Sequence, residues 1–134
     1  MPTNSDTVPQ EIFARRRERL RQTLIEHNLD AYLVLHPANR FYLSGFELHD
    51  PQCNESAGCL LVTAQGRDWL CTDPRYHQAG TRLWPEEDIF IYTNHRISAL
   101  TEFITGQSLS SLGFESRIVS HELFAAMSQS LSMV

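Results

Sequence analysis

The side chains able to do chemistry are scattered along the chain. Six histidines (His27, His36, His49, His77, His95 and His121) occur without any HxxH or HExxH spacing. His121-Glu122 lacks a second histidine four places on, so the paired helix face of a zincin does not form. The three cysteines, Cys53, Cys59 and Cys71, show no CxxC spacing, which argues against a zinc knot and against a disulfide framework. Ser44-Gly45 lacks the preceding glycine of a nucleophile elbow. The six glycines stand singly, so there is no glycine-rich loop to cradle a phosphate. Arg15, Arg16, Arg17, Arg19 and Arg21 are dense enough to hold phosphates. They wrap around several faces of one helix among glutamates, however, which favours a solvated, partly salt-bridged surface. Asp73 ends a strand-like run and precedes Pro74-Arg75-Tyr76. Its carboxylate either caps the next helix or faces a ligand at a strand end, and the residue types favour the cap. No catalytic residue and no metal set emerges.

The elements that must position these groups alternate in type. Residues 1–8 form a polar leader and 9–134 a single domain. Helix formers run over 10–27, with Pro9 suited to a first turn and Asn28 to a left-handed stop. Ile12, Leu20 and Leu24 share one face of that helix. The apolar run 31–35 predicts a strand covered on both faces, followed by a short helix over 38–44 that Gly45 ends. Residues 46–56 read as a long irregular loop, a length common in functional connections. Runs at 58–63 and 68–72, with Gly66 between them, predict a hairpin. A short helix over 74–83, a strand at 89–92, a helix from Ile97 to its stop at Gly106, and a strand at 112–114 follow. A last helix carries Leu123, Phe124, Met127 and Leu131, with Ser120 as its N-cap. This order predicts an α/β fold in three α-β-α layers with a mixed sheet. The chain ends three residues after Leu131, as expected of one cut before a further domain.

Composition narrows the function classes. The chain has 134 residues, 42% hydrophobic and 20% charged, with a formal net charge of −5. That balance argues against nucleic acid or an anionic membrane as partner. No run approaches the roughly 20 apolar residues of a membrane span. The first ten residues lack the apolar core of a signal peptide, and the cysteine usage suits a reducing cytoplasm.

Five segments are specific together: Arg15-Arg16-Arg17-Glu18-Arg19-Leu20, Leu29-Asp30-Ala31-Tyr32-Leu33-Val34, Asn39-Arg40-Phe41-Tyr42-Leu43-Ser44-Gly45-Phe46, Asp73-Pro74-Arg75-Tyr76-His77-Gln78-Ala79 and Leu112-Gly113-Phe114-Glu115. Together they resemble the creatinase N-terminal domain family, which precedes the catalytic domain of prolidases, Xaa-Pro aminopeptidases and creatinases. They occur in the family's order across residues 15–131.

The resemblance implies a ribonuclease-H-like sheet and a following pita-bread domain. In that domain two Asp, one His and two Glu hold two divalent metal ions (manganese, cobalt or zinc) that activate water against an Xaa-Pro bond. This chain then carries no metal or cofactor and hydrolyses nothing alone. Its implied partners are its own C-terminal catalytic domain and a second copy in a homodimer. The resemblance also implies that residues 46–56 reach a neighbouring active site and limit substrate length. His49 and Asp50 lie in that loop, and Trp84 is a further candidate for the same role. His49 either contacts a substrate carboxylate or is an ordinary loop histidine, and Trp84 either gates or packs in the core. The family-motif residues Asn39, Tyr42, Gly45, Asp73, Arg75 and Tyr76 read as structural. Asn39 is expected to cap the short helix and Arg75 to pair with Asp73. A stand-alone protein-binding module and a creatinase-like amidinohydrolase are the alternatives. The loop 46–56 is expected to be mobile without its partner domain.

Overall fold

A computed structural model describes residues 10–46, 58–93 and 95–130. The elements run α1 (Gln10–Glu26), β1 (Ala31–Val34), α2 (Pro37–Ser44), β2 (Gly58–Thr63), β3 (Trp69–Thr72), a 3-10 turn (Pro74–Tyr76), α3 (His77–Thr81), a second 3-10 turn (Glu86–Asp88), β4 (Ile89–Ile91), α4 (Arg96–Thr105), β5 (Leu112–Phe114) and α5 (His121–Ser130). The strands form one sheet in the order β4-β3-β2-β1-β5. β2 pairs antiparallel with β1 and with β3, whereas β1–β5 and β3–β4 are parallel. Four strands therefore run one way and β2 runs against them, the mixed sheet that the element order predicts.

Alternation along the strands divides the core into two halves. Leu33, Cys59, Leu61 and Cys71 pack with Leu100 and Ile104 of α4 and Leu123 and Met127 of α5. Val34, Leu60, Val62 and Leu70 pack with Leu24 of α1, Leu43 of α2, Phe46 and Trp84. The sheet thus lies between two helical layers, and every residue of β2 is buried because both its faces are covered.

α1 stops where Asn28 turns left-handed, φ 57°. Its deepest apolar residues are Phe13 and Leu24; Ile12 and Leu20 are half-buried at the edge of the stripe. Arg17 and Arg21 continue the Phe13 face at four-residue intervals, and Arg21 is buried. The arginine cluster is therefore not a uniformly solvated face. Two of its members turn inward, where the largely buried carboxylate of Asp68 meets them.

The expected helix over 74–83 is broken. One 3-10 turn precedes the five-residue α3, and Tyr76 between them has φ −108° and ψ 8°. No described helix is long and apolar enough to cross a membrane.

Candidate functional site at the carboxyl edge of the sheet

Because β1, β3, β4 and β5 point the same way, their carboxyl ends share one edge with the start of β2. In open α/β sheets this edge is where ligands bind. Five of the sequence-predicted motif residues, Asn39, Gly45, Asp73, Arg75 and Tyr76, fall at or beside it, in two clusters.

The first cluster lies beyond β1 and β5. Glu115, directly after β5, accepts hydrogen bonds from the backbone N–H of Leu35 (2.5 Å) and His36 (2.9 Å) through one oxygen, and from Asn39 Nδ2 (2.5 Å) through the other. These donors tie the ends of two parallel strands to the start of α2. Asn39 does not cap α2 as expected. The cap is His36, whose Nδ1 accepts from Ala38 N–H at 3.2 Å, with Pro37 in the first turn. Asn39 sits inside the first turn, past the cap position, and its amide reaches Glu115 instead. Tyr42 lies further along α2, half-exposed, with the Arg16 guanidinium 4.1 Å from its ring centre. Between α1, α2 and β1 a groove of about 400 Å³ is lined by Arg16, Arg19, Tyr32, Asn39, Tyr42 and Glu115, among others. Burial pushes the Tyr32 hydroxyl above its ordinary pKa, and the Glu115 charge adds to that.

The second cluster lies beyond β3 and β4. Asp73 Oδ1 accepts from the Arg75 N–H at 2.9 Å, which caps the 3-10 turn. The same carboxylate takes both Arg75 Nε (3.0 Å) and Nη2 (2.8 Å), a fork-on-carboxylate geometry. These Arg75 hydrogen bonds hold Asp73 below the usual carboxylate range. Tyr76 packs edge-on to Phe46, ring centres 6.5 Å apart.

The two clusters flank the ends of one segment. Phe46, buried, leads into residues 47–57, and Gly58 opens β2 where they return. Gly45 makes the exit possible. Its φ is +74°, and a Cβ there would lie 2.6 Å from the Phe13 ring, so both the backbone and the space demand glycine. Arg40, buried in α2, donates to the Gly58 carbonyl at 3.0 Å and ties the return point to the exit helix. Neither Arg40 nor Glu115 stands out by local spacing, because each acts on residues far along the chain. His49 and Asp50 lie outside the described residues, as does the expected loop beyond Phe46.

Trp84 lies away from this edge. It is 6% exposed, and its Nε1 donates to the Asp68 carbonyl at 3.2 Å, just before β3 begins. The Arg17 guanidinium stacks 4.4 Å from its ring centre. Asp68 gathers Arg21 Nη2 at 2.5 Å, Arg17 Nε at 3.3 Å and the Thr63 N–H at 3.2 Å. Burial pushes the Asp68 carboxyl up, against the pull of Arg21. This cluster holds α1 to the hairpin at the opposite end of the sheet, and Trp84 belongs to it as packing.

Among the described residues no three His, Cys, Asp or Glu side chains come together as metal ligands. The described residues thus offer no ligand set for a metal pair.

The Creatinase/Prolidase N-terminal domain family model matches residues 16–134. A solved Xaa-Pro aminopeptidase from Streptococcus pyogenes is similar at 28% identity and a TM-score of 0.73, over 94% of this chain and 90% of that chain. The N-terminal domain of a cytoplasmic peptidase from Mycobacterium tuberculosis is similar at 28% identity and a TM-score of 0.71, over 88% and 85%. An Xaa-Pro dipeptidase from Bacillus anthracis shares the fold at 21% identity and a TM-score of 0.72; 90% of this chain covers 32% of that one. Among curated proteins, no sequence matches.

Proposed function

Because this chain belongs to the creatinase/prolidase N-terminal domain family, we propose that it is the non-catalytic N-terminal domain of a metal-dependent Xaa-Pro peptidase of the aminopeptidase P or prolidase type. It packs on its own C-terminal catalytic domain in a cytoplasmic homodimer. That catalytic domain holds two divalent metal ions, manganese, cobalt or zinc, and performs the hydrolysis. The loop at residues 46–56 carries His49 and Asp50 towards an active site and limits the length of peptide that enters. The observation that carries this proposal is the family match over residues 16–134, together with 28% identity to an Xaa-Pro aminopeptidase. The carboxyl-edge geometry supports the gating part. Phe46 and Gly58 set both ends of the loop at one sheet edge, and Arg40 fastens them together.

The test pairs the full-length gene product with this 134-residue chain, each given an Xaa-Pro dipeptide and an Xaa-Pro tripeptide with manganese. Cleavage by the full-length protein alone is expected, and the preferred length then separates prolidase from aminopeptidase. Inactivity of both towards peptides, with turnover of creatine, would move the amidinohydrolase alternative ahead. A gene that ends at Val134 would leave the protein-binding module.

A further inference from the structure

Two nucleophilic side chains lie inside the core, apart from the carboxyl-edge clusters. Cys59 of β2 and Cys71 of β3 are directly opposite partners in the antiparallel register. Both are buried and unbonded, and both point into the core half beneath α4 and α5. They therefore share one face of the hairpin, not opposite faces. The strands approach closely at this point: a Cβ added to Gly58 would lie 2.8 Å from the Cys71 carbonyl oxygen. Opposed residues of an antiparallel pair have Cα atoms about 4.5–5.5 Å apart and Cβ atoms at a similar separation. A disulfide needs a Cα separation of roughly 4.4–6.8 Å and a Cβ separation of about 3.5–4.5 Å. The register thus meets the first requirement and comes within about 1 Å of the second. The Cys71 thiol donates to Cys59, and that hydrogen bond together with burial keeps the Cys71 proton in place.

We infer that Cys59 and Cys71 form a latent cross-strand redox site, which a low-molecular-weight disulfide such as oxidised glutathione converts to an intrachain disulfide. The chemistry balances in two exchanges. One cysteine thiolate attacks a sulfur of the oxidant and expels one glutathione thiolate, leaving a mixed disulfide. The second cysteine thiolate then attacks the protein-bound sulfur and expels the other. Two cysteine thiols are oxidised, one glutathione disulfide is reduced to two thiols, and the two cysteine protons end on glutathione. Burial of both sulfurs shields them from the oxidant in the closed domain, so the bond forms while the hairpin is open or the chain is folding. In a reducing compartment the pair stays as two thiols. The closed bond would staple β2 to β3 next to Gly58, where the loop from the carboxyl edge returns.

The test refolds the 134-residue chain, carrying Cys53→Ser so that only these two thiols remain, from urea with or without oxidised glutathione. Expected with oxidant is a monomer about 2 Da lighter, with no reactive thiol after denaturation. A tryptic peptide should join Cys59 to Cys71, the circular dichroism should match the reduced protein, and the Tm should rise by roughly 5 °C. Cys53→Ser/Cys71→Ser refolded in the same way should keep its mass and its Tm. The inference is overturned if native circular dichroism returns only with both thiols free. It is equally overturned if the lighter species melts below the reduced protein, or if the bond formed joins two chains.

Discussion

Asp73 and Asp68 show what a single residue reveals to a reader of sequence. Asp73 acts on residues two places away, and its cap and its pairing with Arg75 were both legible before Pro74. Asp68 acts across 47 positions on Arg21, and nothing near it in sequence announces that pairing. The same distance explains why Arg17 and Arg21 read as solvated when they are partly or wholly buried. Asp73 also makes a pH prediction. Hydrogen bonds from Arg75 hold its folded-state carboxyl below the usual carboxylate range. A depressed carboxyl contributes stability that is present above the unfolded value and lost as pH falls through the folded one. Asp73→Ala should therefore cost about 1 kcal/mol at pH 7, the usual worth of a lost cap. The half-exposed pair with Arg75 adds little to that. Urea unfolding from pH 7 to pH 2 should show the gap between wild type and variant constant above about pH 5 and closing below pH 4. A gap that widened on acidification would contradict the role assigned to the carboxylate.

At the scale of elements, helix and strand types were legible wherever local chemistry set them. The run in β2, the Gly66 turn and the Ser120 cap, whose Oγ accepts from the Leu123 N–H at 3.1 Å, are of this kind. The split between the 3-10 turn and α3 was not: it falls at Tyr76, which packs edge-on to Phe46 and is no helix breaker by type. α2 was legible at its Gly45 end and misread at its start, where a histidine does the work usually given to Ser, Thr, Asp or Asn. Its Gly45 end yields a second prediction. Gly45→Ala adds left-handed strain and a methyl group inside the Phe13 ring, and should destabilise the domain by about 2 kcal/mol. Phe13→Leu removes the ring atoms that the methyl would strike. In a double-mutant cycle by urea unfolding, the cost of Gly45→Ala should fall by about half in the Phe13→Leu background. Equal costs in both backgrounds would assign the whole penalty to the backbone.

The sheet carries the family-motif residues at one end and the Asp68 cluster at the other, and on the proposed function that separation divides function from stability. The α/β class followed from element order alone, but the parallel pairings of β1 with β5 and β3 with β4 join strands distant in the chain. The antiparallel pairings of β2 with β1 and β3 set the family-motif residues at one edge and Asp68 at the other, and the parallel pairing of β5 with β1 brings Glu115 to the first. On the proposed function the metal chemistry lies outside this domain, so the proposed gating loop would act on substrate entry and binding but not on the metal-activated water. His49→Ala should then raise KM for an Xaa-Pro substrate by about tenfold while kcat stays within twofold, the effect of losing one hydrogen bond to a charged group. Asp68→Ala is the matched control. It leaves the buried Arg21 guanidinium with only the exposed Glu18 carboxylate and should cost about 3 kcal/mol of stability. It should leave KM unchanged in the protein that remains folded. Steady-state kinetics and thermal melts on both variants decide between the two ends. A fall in kcat with His49→Ala at constant KM would remove the loop from substrate binding. A KM shift with Asp68→Ala as large as that with His49→Ala would show that the two ends are not independent.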